Sequence, residues 1–437
     1  MLSAEDNRLI TDTNAGTPMG ELFRRFWLPF ATSDDLPLPD GAPYRVRLLG
    51  EDLVAFRDTS GRVGLLDAFC PHRHAPLFFG RNEEDGLRCV YHGWKFDVAG
   101  ACVDLPNAIE GESFKSRVRI VRYPAVERGG LLWAYMGPPE KQPPFPAFEW
   151  LDLPQSHRYF LRFRLQCNYL QAMEGDYDPS HSAFLHMQLA DLEVETPPDT
   201  GDFNVNNTAA GRWNLDESRW GVLEDSANGV LCVTDRPLPD GGFVASAGPL
   251  WMMPVFCTGG IGGTAVKSAS IRVPIDNESM MYFRLRWSYQ PLPQTELWEY
   301  QHGGRFYPEL ERGSDLPADN RGNDYNIDRF QQRSVSFTGI RSFPMQDAAV
   351  IENQRGPVSD RTREHLTTAD RHIIQVRQRL LRTARALAQG TEPSEPWQAQ
   401  AYGYHYESAT GKTREEAIAA ARAKATNSGL AELLAPT

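Results

Sequence analysis

The chain has 437 residues with a formal net charge of −12, and 41% of the residues are hydrophobic. This length allows two domains with sizeable cores, whereas the acidic charge argues against nucleic acid or an anionic membrane surface as a partner. The first residues lack the basic start and apolar run of a signal peptide, no apolar stretch approaches the ~18 residues of a membrane span, and six cysteines are too few for a disulfide scaffold. We therefore expect a cytoplasmic protein.

Residues 1–150 predict a small all-β domain with a short lead-in. A short helix is expected around residues 20–26, followed by a proline-rich segment. Strands are predicted at residues 46–49, 53–56, 63–66, 94–97 and 131–135. Proline-dense sequence at residues 137–146 then marks a connector, so we place the domain boundary near residue 150.

The loops of this first domain carry an ordered set of soft metal ligands. The sequence reads Cys-x-His, sixteen further residues and then Cys-x-x-His, at Cys70, His72, Cys89 and His92. Two cysteines and two histidines are what a Rieske 2Fe-2S centre needs, because the cysteines hold one iron and the histidines the other. The alternative is a single tetrahedral zinc. Zinc knuckles usually pair like ligands, whereas each pair here is mixed, so we favour the cluster; His74 is interpreted as a neighbour.

Residues 151–437 predict an α+β domain in which helices pack on an antiparallel sheet. Strands are predicted at residues 159–166, 229–234, 242–247, 265–274 and 280–289. Helices are predicted at residues 168–189, 366–387 and 413–433, the second from apolar residues at helical spacing. A long loop is expected at residues 196–211. The glycine-rich residues 259–263 precede a strand pattern rather than a helix, which argues against a dinucleotide loop.

Two histidines of the second domain suggest a second metal site. His181 and His186 are five residues apart, so a helix needs a slight wind-out or a π-type bulge to bring both to one face. Pro179, just before them, marks a place where the helix can break. With one carboxylate they would form a two-histidine-one-carboxylate set, which leaves positions on a non-haem iron open for dioxygen. Two satisfied core histidines are the alternative. A cluster upstream favours the metal site, because it needs something to reduce.

Most of the chain resembles the terminal oxygenase (alpha) component of Rieske non-haem iron ring-hydroxylating oxygenases, in the phthalate-dioxygenase-like branch. The resemblance rests on the Cys/His loops, on the Asp-x-x-His-x-x-x-x-His pattern from Asp178 to His186, and on residues 16–29 and 323–340. It implies a Rieske domain and a catalytic domain with mononuclear Fe(II) on His181 and His186. Residues 342–354 resemble the branch's segment for the third ligand, which implies Asp347 rather than Glu352.

The resemblance also implies a role for Asp178 in catalysis. Its carboxylate would bridge two histidines, His92 of the partner subunit and His181, so that each active site is completed by assembly into a homotrimer or stacked trimers. Such a carboxylate accepts from both imidazole N–H groups and orients the rings. The alternative role for Asp178 is a helix cap.

By resemblance, the protein receives electrons from a ferredoxin-type NAD(P)H-dependent reductase and activates dioxygen. The implied reaction is dihydroxylation of an aromatic substrate, an aryl acid; monooxygenation or O-demethylation of a methoxylated aromatic acid is the alternative. A Rieske electron carrier without oxygenase activity is a distant alternative, since a carrier needs only the first domain.

Two features of the second domain bear on the substrate. In the branch, basic side chains on central strands meet aromatic carboxylates. Arg236 is retained here, but residues 243–249 have small apolar side chains where a second base is expected, which counts against phthalate itself. An apolar group could form a wall for an aromatic ring or belong to the core: Trp251, Met252, Met253 and Phe256.

Overall fold

The structure of the protein is a computed structural model, which describes residues 1–109, 113–178, 180–189, 221–239, 241–259, 266–298, 301–302 and 307–426. The chain divides into two units, Thr13–Phe145 and a second unit that combines Met1–Asp12 with Pro146–Thr437. The N-terminal helix α1 (Ala4–Thr11) belongs to the second unit, because the carbonyl oxygens of Ile10 and Thr11 accept hydrogen bonds from Tyr169 and Asn168.

Among the described residues of the Thr13–Phe145 unit, short antiparallel strands follow helix α2 (Pro18–Phe23). They are β1 (Trp27–Thr32), β2 (Tyr44–Leu48), β3 (Glu51–Arg57), β4 (Val63–Asp67), β5 (Arg81–Glu83), β6 (Gly86–Arg88), β7 (Lys95–Phe96), β8 (Cys102–Asp104), β9 (Arg122–Tyr123), β10 (Ala125–Arg128) and β11 (Leu131–Tyr135). The sheets have the orders β1-β11-β10, β2-β3-β4-β9 and β5-β6-β7-β8. This all-β arrangement confirms the predicted class of the first domain.

One apolar core supports the Cys/His loops of this unit. It joins Val54 and Phe56 of β3 to Leu87 of β6 and Phe96 of β7, all almost fully buried, and it includes the two loop cysteines. The loops are therefore held against packed side chains, which limits their movement.

An antiparallel sheet is the centre of the second unit. Its strands and the helices around it are β12 (Arg158–Leu165), α3 (Tyr169–Asp176), α4 (Ser182–Leu185), β13 (Val222–Asp225), β14 (Gly229–Pro237), β15 (Phe243–Met252), β16 (Phe256–Thr258), β17 (Lys267–Pro274), β18 (Met280–Trp287), α5 (Gln294–Trp298), α6 (Gln331–Ser334), α7 (Phe343–Ile351), α8 (Arg371–Ala388), β19 (Glu407–Gly411) and α9 (Arg414–Thr426). The sheet order is β12-β18-β17-β16-β15-β14-β13, and β19 pairs with β15. The predicted α+β domain with an antiparallel sheet is confirmed.

The helices bury one face each. Helix α8 buries Ile373, Val376, Leu380 and Ala384, as its apolar spacing predicts. Helix α9 buries a stripe of alanines that packs with alanines of β15. None of the described helices combines the length and apolar character needed to cross a membrane.

The helix predicted over residues 168–189 is divided into two short helices. Helix α3 ends at Asp176, and α4 begins only after His181. Between them, Asp178 Oδ1 accepts hydrogen bonds from the backbone N–H and the hydroxyl of Ser180 (2.8 and 2.6 Å), a local arrangement that competes with helical hydrogen bonding. The predicted loop at 196–211, the glycines at 260–263 and the last turns of the closing helix lie outside the described residues.

Candidate metal centres

Each Cys-His pair lies in a tight loop beside a small sheet. After β4, the backbone N–H of Cys70 donates to Ala75 O (2.9 Å) and that of His74 donates to Cys70 O (2.8 Å). Between β6 and β7, the N–H of Cys89 donates to Trp94 O (2.8 Å). Gly93 closes this second loop at φ +79°, and a Cβ there would lie 2.6 Å from Pro106 Cγ, so a side chain would not fit.

The four predicted cluster ligands lie in two like pairs, Cys70 beside Cys89 and His72 beside His92. The Cys70 and Cys89 side chains are buried, whereas His72 and His92 are half-buried with ring centroids 4.5 Å apart. His72 stacks on the Trp94 ring at 4.5 Å, and its Nδ1 is buried with no hydrogen-bond partner among the described residues. Burial, with the neighbouring Cys89 adding to it, raises the pKa of the Cys70 thiol to about 12, so the thiolates need positive charge beside them. This donor set suits a metal cluster.

The distances between these donors also bear on whether they hold a two-iron cluster or a single zinc ion. A zinc ion with bonds of about 2.0–2.3 Å requires its donors to lie within about 4 Å of one another. No three of the four donors in these loops meet even a 4.8 Å limit, although another group of described residues does. Two irons, each held by one pair of like ligands, fit this arrangement. His74 is exposed and has a positive φ of 55°, consistent with a neighbouring residue.

We predict that Cys89→Ala abolishes the visible absorption of the cluster and its acid-labile sulfide, because an iron then loses one of two thiolates. Cys102→Ala is the matched control, since Cys102 is a buried free thiol in the same core. The control should keep both properties. Persistence of sulfide and absorption in Cys89→Ala would show that Cys89 is not a ligand.

A second group of donors converges in the larger unit. His181 immediately precedes α4, His186 follows it, and Asp347 lies on α7. One donor atom from each residue lies within 4.8 Å of the other two. Asp347 Oδ1 is 3.4 Å from His186 Nε2 and 3.7 Å from His181 Nε2. The short helix α4 therefore brings together two histidines whose five-residue spacing does not fit a regular helix.

Hydrogen bonds fix both imidazole rings. The Nδ1–H of His181 donates to the carbonyl oxygen of Asp178 (2.7 Å), and that of His186 donates to Gln346 Oε1 (2.7 Å). The Gln346 amide is itself held, because its Nε2 donates to Ile340 O (2.8 Å). In its neutral form each ring thus has its lone pair on Nε2, the atom that faces Asp347. The sequence analysis did not identify Gln346, whose only sequence cue is its place before Asp347.

The charges at this site favour a bound cation. Burial would lower the pKa of His181, but the Asp178 and Asp347 carboxylates outweigh it and raise the pKa to about 9. Burial opposes ionisation of Asp347, yet His186, His181 and Arg272 lower the pKa of this carboxyl below its usual value. A metal ion would replace the proton on His181 and leave a neutral imidazole ligand. Two histidines and one carboxylate can hold Fe(II) with coordination positions open for dioxygen.

The competing acid, Glu352, has other partners. It is 4% exposed, accepts from the backbone N–H of Gln166 (2.6 Å), and accepts a hydrogen bond from the Tyr325 hydroxyl. It does not belong to the converging donor group. We therefore predict that Asp347→Ala loses the mononuclear iron, whereas Glu352→Gln, which keeps one acceptor oxygen and presents an N–H donor from which the Tyr325 hydroxyl can accept, retains it. Metal analysis of both variants decides the matter, and iron loss confined to Glu352→Gln would refute the choice of Asp347.

Asp178 lies beside this group rather than within it. Its Oδ1 is used by Ser180, and its Oδ2 is 3.7 Å from His181 Nδ1. The side chain is half-buried. Burial raises the pKa of Asp178, but His181 and Ser180 outweigh it and keep the pKa below the usual value. The carboxylate is therefore ionised, and its Oδ2 faces His181.

The residues proposed to contact substrate are distributed differently from the prediction. Arg236 lies at the exposed end of β14. Phe256 packs against Phe148, with ring centroids 5.0 Å apart, so it belongs to the core. Trp251 points towards α3 and donates from Nε1 to Met173 Sδ (3.2 Å). The apolar group is thus mainly core.

Comparison with known proteins gives the following matches. Residues 26–119 match the Rieske 2Fe-2S domain family, and residues 261–415 match the LigXa C-terminal domain-like family. The oxygenase subunit of 3-chlorobenzoate-3,4-dioxygenase from Comamonas testosteroni is 35% identical over 90% of this chain and 91% of its own length. The oxygenase subunit of phthalate 4,5-dioxygenase from Pseudomonas putida is 33% identical over 89% and 88%.

A third relative carries out a different reaction. The oxygenase subunit of 5,5'-dehydrodivanillate O-demethylase from Sphingobium sp. (strain NBRC 103272 / SYK-6) is 32% identical over 90% of this chain and 83% of its own length.

The crystal structure of dicamba monooxygenase bound to 3,6-dichlorosalicylic acid has a TM-score of 0.56 at 18% identity, and the match covers 84% of this chain and 98% of that one. At this identity, the match shows that the two proteins share a fold.

Proposed function

Because this chain belongs to the terminal oxygenase subunits of Rieske non-haem iron systems, in the phthalate-dioxygenase-like branch, we propose that it oxygenates an aryl carboxylate. The carrying observation is the convergence of His181, His186 and Asp347, with both imidazole Nε2 atoms directed at one carboxylate. A chain that carries a Rieske domain and such a site has both parts that reductive dioxygen chemistry needs. An electron carrier has no use for the second site.

The residues act on the metals by holding and orienting them. We propose that Cys70, His72, Cys89 and His92 hold the 2Fe-2S cluster. When bound, the cluster and Fe(II) supply the electrons and the open coordination positions that dioxygen activation requires. Gln346 keeps His186 in the tautomer that leaves Nε2 free.

We further propose that Asp178 accepts from His92 of the partner subunit while it faces His181. The position of its Oδ2, which faces His181, and its lowered pKa support this role, because a bridging carboxylate has to remain ionised. The proposal requires a homotrimer or stacked trimers. A ferredoxin-type NAD(P)H-dependent reductase is the proposed electron donor, in the cytoplasm, and the relatives are themselves oxygenase subunits of multicomponent systems.

The preferred outcome is dihydroxylation, in which both atoms of dioxygen enter the ring together with two electrons and two protons. Two relatives named as dioxygenases support it. The alternative, supported by the O-demethylase, places one oxygen atom in the substrate and releases the other as water. The same metal ligands serve both outcomes, so substrate position decides between them.

Product analysis tests this function. Benzoates with chloro, carboxyl or methoxy substituents are incubated with the protein, NADH, a surrogate reductase and ¹⁸O₂. A diol with two labelled atoms identifies a dioxygenase, and a phenol with loss of formaldehyde identifies a demethylase. Failure of every aryl acid to yield labelled product, with an intact cluster and a full complement of iron, would contradict the proposal.

A further inference from the structure

A row of polar side chains crosses the face of the sheet that α3 covers. In the β17–β18 ladder, Arg272 is paired with Tyr282, and the next pair on the same face is Ser270 with Arg284. Arg272 binds both carboxylate oxygens of Asp176 (2.9 and 2.8 Å), the last residue of α3. These four strand residues therefore face α3 and not the opposite side of the sheet.

The position of α3 relates this row to the proposed iron site. The helix starts at the β17–β18 turn, where the amide of Asn168 donates to Asn277 O (2.8 Å), and it ends at Asp176. The Ser270–Arg284 pair lies one step further along the strands, beyond the end of the helix. From the same end the chain continues towards the iron-ligand histidines.

Arg284 is half-buried and differs in its partners from the fully buried arginines described in this unit. The half-buried Arg158 donates to the backbone carbonyl oxygens of Trp150 and Leu151 (2.9 and 2.8 Å), whereas Arg284 contacts a hydroxyl. The Arg284 Nη1 donates to the Tyr282 hydroxyl (3.0 Å), which is also 3.0 Å from Ser270 Oγ. No carboxylate of the described residues forms an ion pair with Arg284. Each buried arginine described in this unit has one: Arg272 with Asp176, Arg361 and Arg377 with Glu174, and Arg379 with Glu395.

A half-buried guanidinium without a counter-ion is unfavourable, because the charge loses hydration and gains no opposite charge. Charged groups that lack the expected opposite charge are typical of functional sites. A guanidinium has several donors in one plane and matches a carboxylate or sulfonate in two parallel hydrogen bonds. The neighbouring hydroxyls hold one edge of Arg284 and can donate to the same anion.

We propose that Arg284, with the hydroxyls of Ser270 and Tyr282, binds the anionic group of the aromatic substrate and determines that the enzyme prefers an acid to a neutral aryl compound. This inference rests on the proposed function, from which we take it that the ligand is an aromatic compound. It differs from the sequence interpretation, which placed the basic contact at Arg236.

Calorimetric binding to the intact protein tests the site without turnover. The probes are three pairs of equal shape, 3-chlorobenzoate with 3-chlorobenzamide, 3-methoxybenzoate with 3-methoxybenzamide, and toluene-4-sulfonate with toluene-4-sulfonamide. We expect the parent to prefer the anion of at least one pair, and Arg284→Gln to weaken that anion about 10- to 100-fold, as loss of a charge-assisted hydrogen bond implies. The affinity for the neutral partner should stay within about threefold, and Arg284→Lys should recover part of the preference.

Arg164→Gln is the matched control, because Arg164 lies on β12 and is paired with Asp315 (3.2 Å). Its anion affinity should equal that of the parent, and cluster absorption checks folding in every variant. A parent with no preference for any anion, including one that binds no probe, would overturn the site, as would equal losses in Arg164→Gln and Arg284→Gln. If the anion preference depends on Arg284 but no aryl acid is oxygenated, the proposed reaction fails and the binding site stands.

Discussion

His186→Ala should abolish turnover and release the mononuclear iron while the absorption spectrum of the cluster remains unchanged. The His186 side chain is 5% exposed, its Nε2 faces Asp347, and its Nδ1–H is held by Gln346. Alanine removes one of three protein ligands, and water cannot restore the orientation that Gln346 provides. We expect total iron to fall from about three to about two atoms per chain, with acid-labile sulfide unchanged at about two, and activity to fall at least about 100-fold.

His157→Gln is a suitable control for this variant. His157 is a buried histidine of the same unit and contacts Ser288 O at 3.2 Å, away from the converging donors. It should retain about three irons per chain and most of the activity. Iron and sulfide analysis of both proteins, with turnover measured under saturating reductase, gives the comparison. Retained turnover in His186→Ala would exclude it as a ligand.

Asp178→Asn should give a folded protein that keeps its cluster and most of its iron but does not pass electrons between them. The amide preserves the acceptor for Ser180 and removes the negative charge that faces His181. A neutral acceptor is weaker than a charged one, and the loss costs about 1–3 kcal/mol, too little to unfold a chain of this size. We expect electron transfer to slow at least about 100-fold.

Ser180→Ala isolates the charge of Asp178 from its local hydrogen bonds. This control removes the hydroxyl contact of 2.6 Å and keeps the carboxylate. In stopped-flow mixing of pre-reduced protein with oxygen and substrate, the cluster of Asp178→Asn should stay reduced, whereas that of Ser180→Ala should reoxidise nearly as fast as the parent. Parent-like oxidation in Asp178→Asn, or full activity in a monomer, would contradict the bridging role.

The motifs with short, regular spacing could be predicted from the sequence, and so could the two fold classes. The Cys/His pairs are local, so their spacing alone named the four donors that the structure brings together in pairs. Asp347 is 161 residues from His186 in the sequence and was named through family resemblance, because spacing carries no information at that distance. The structure adds that Glu352 accepts a hydrogen bond from the Tyr325 hydroxyl, which leaves Asp347 as the acid beside the two histidines.

Other features depend on tertiary contacts and could not be predicted. Pro179 indicates a break between α3 and α4 in the sequence, but the hydrogen bonds of Asp178 with Ser180 in this segment are not visible in apolar periodicity. Arg284 is one charged residue in an ordinary strand pattern. Its lack of a counter-ion is visible only when the neighbouring strands and α3 are in place. Arg236 was the more obvious candidate in the sequence but lies at an exposed strand end.

Single turnover of the parent protein tests the central claim, that electrons pass from the cluster to the triad site and oxygenate an aryl acid there. The protein is reduced with dithionite, freed of excess reductant, and mixed with ¹⁸O₂ and its best aryl acid in the absence of reductase. We predict that the cluster reoxidises and that labelled product forms in proportion to it, with both much slower when substrate is omitted. Reoxidation of the cluster at full rate without labelled product would contradict the account.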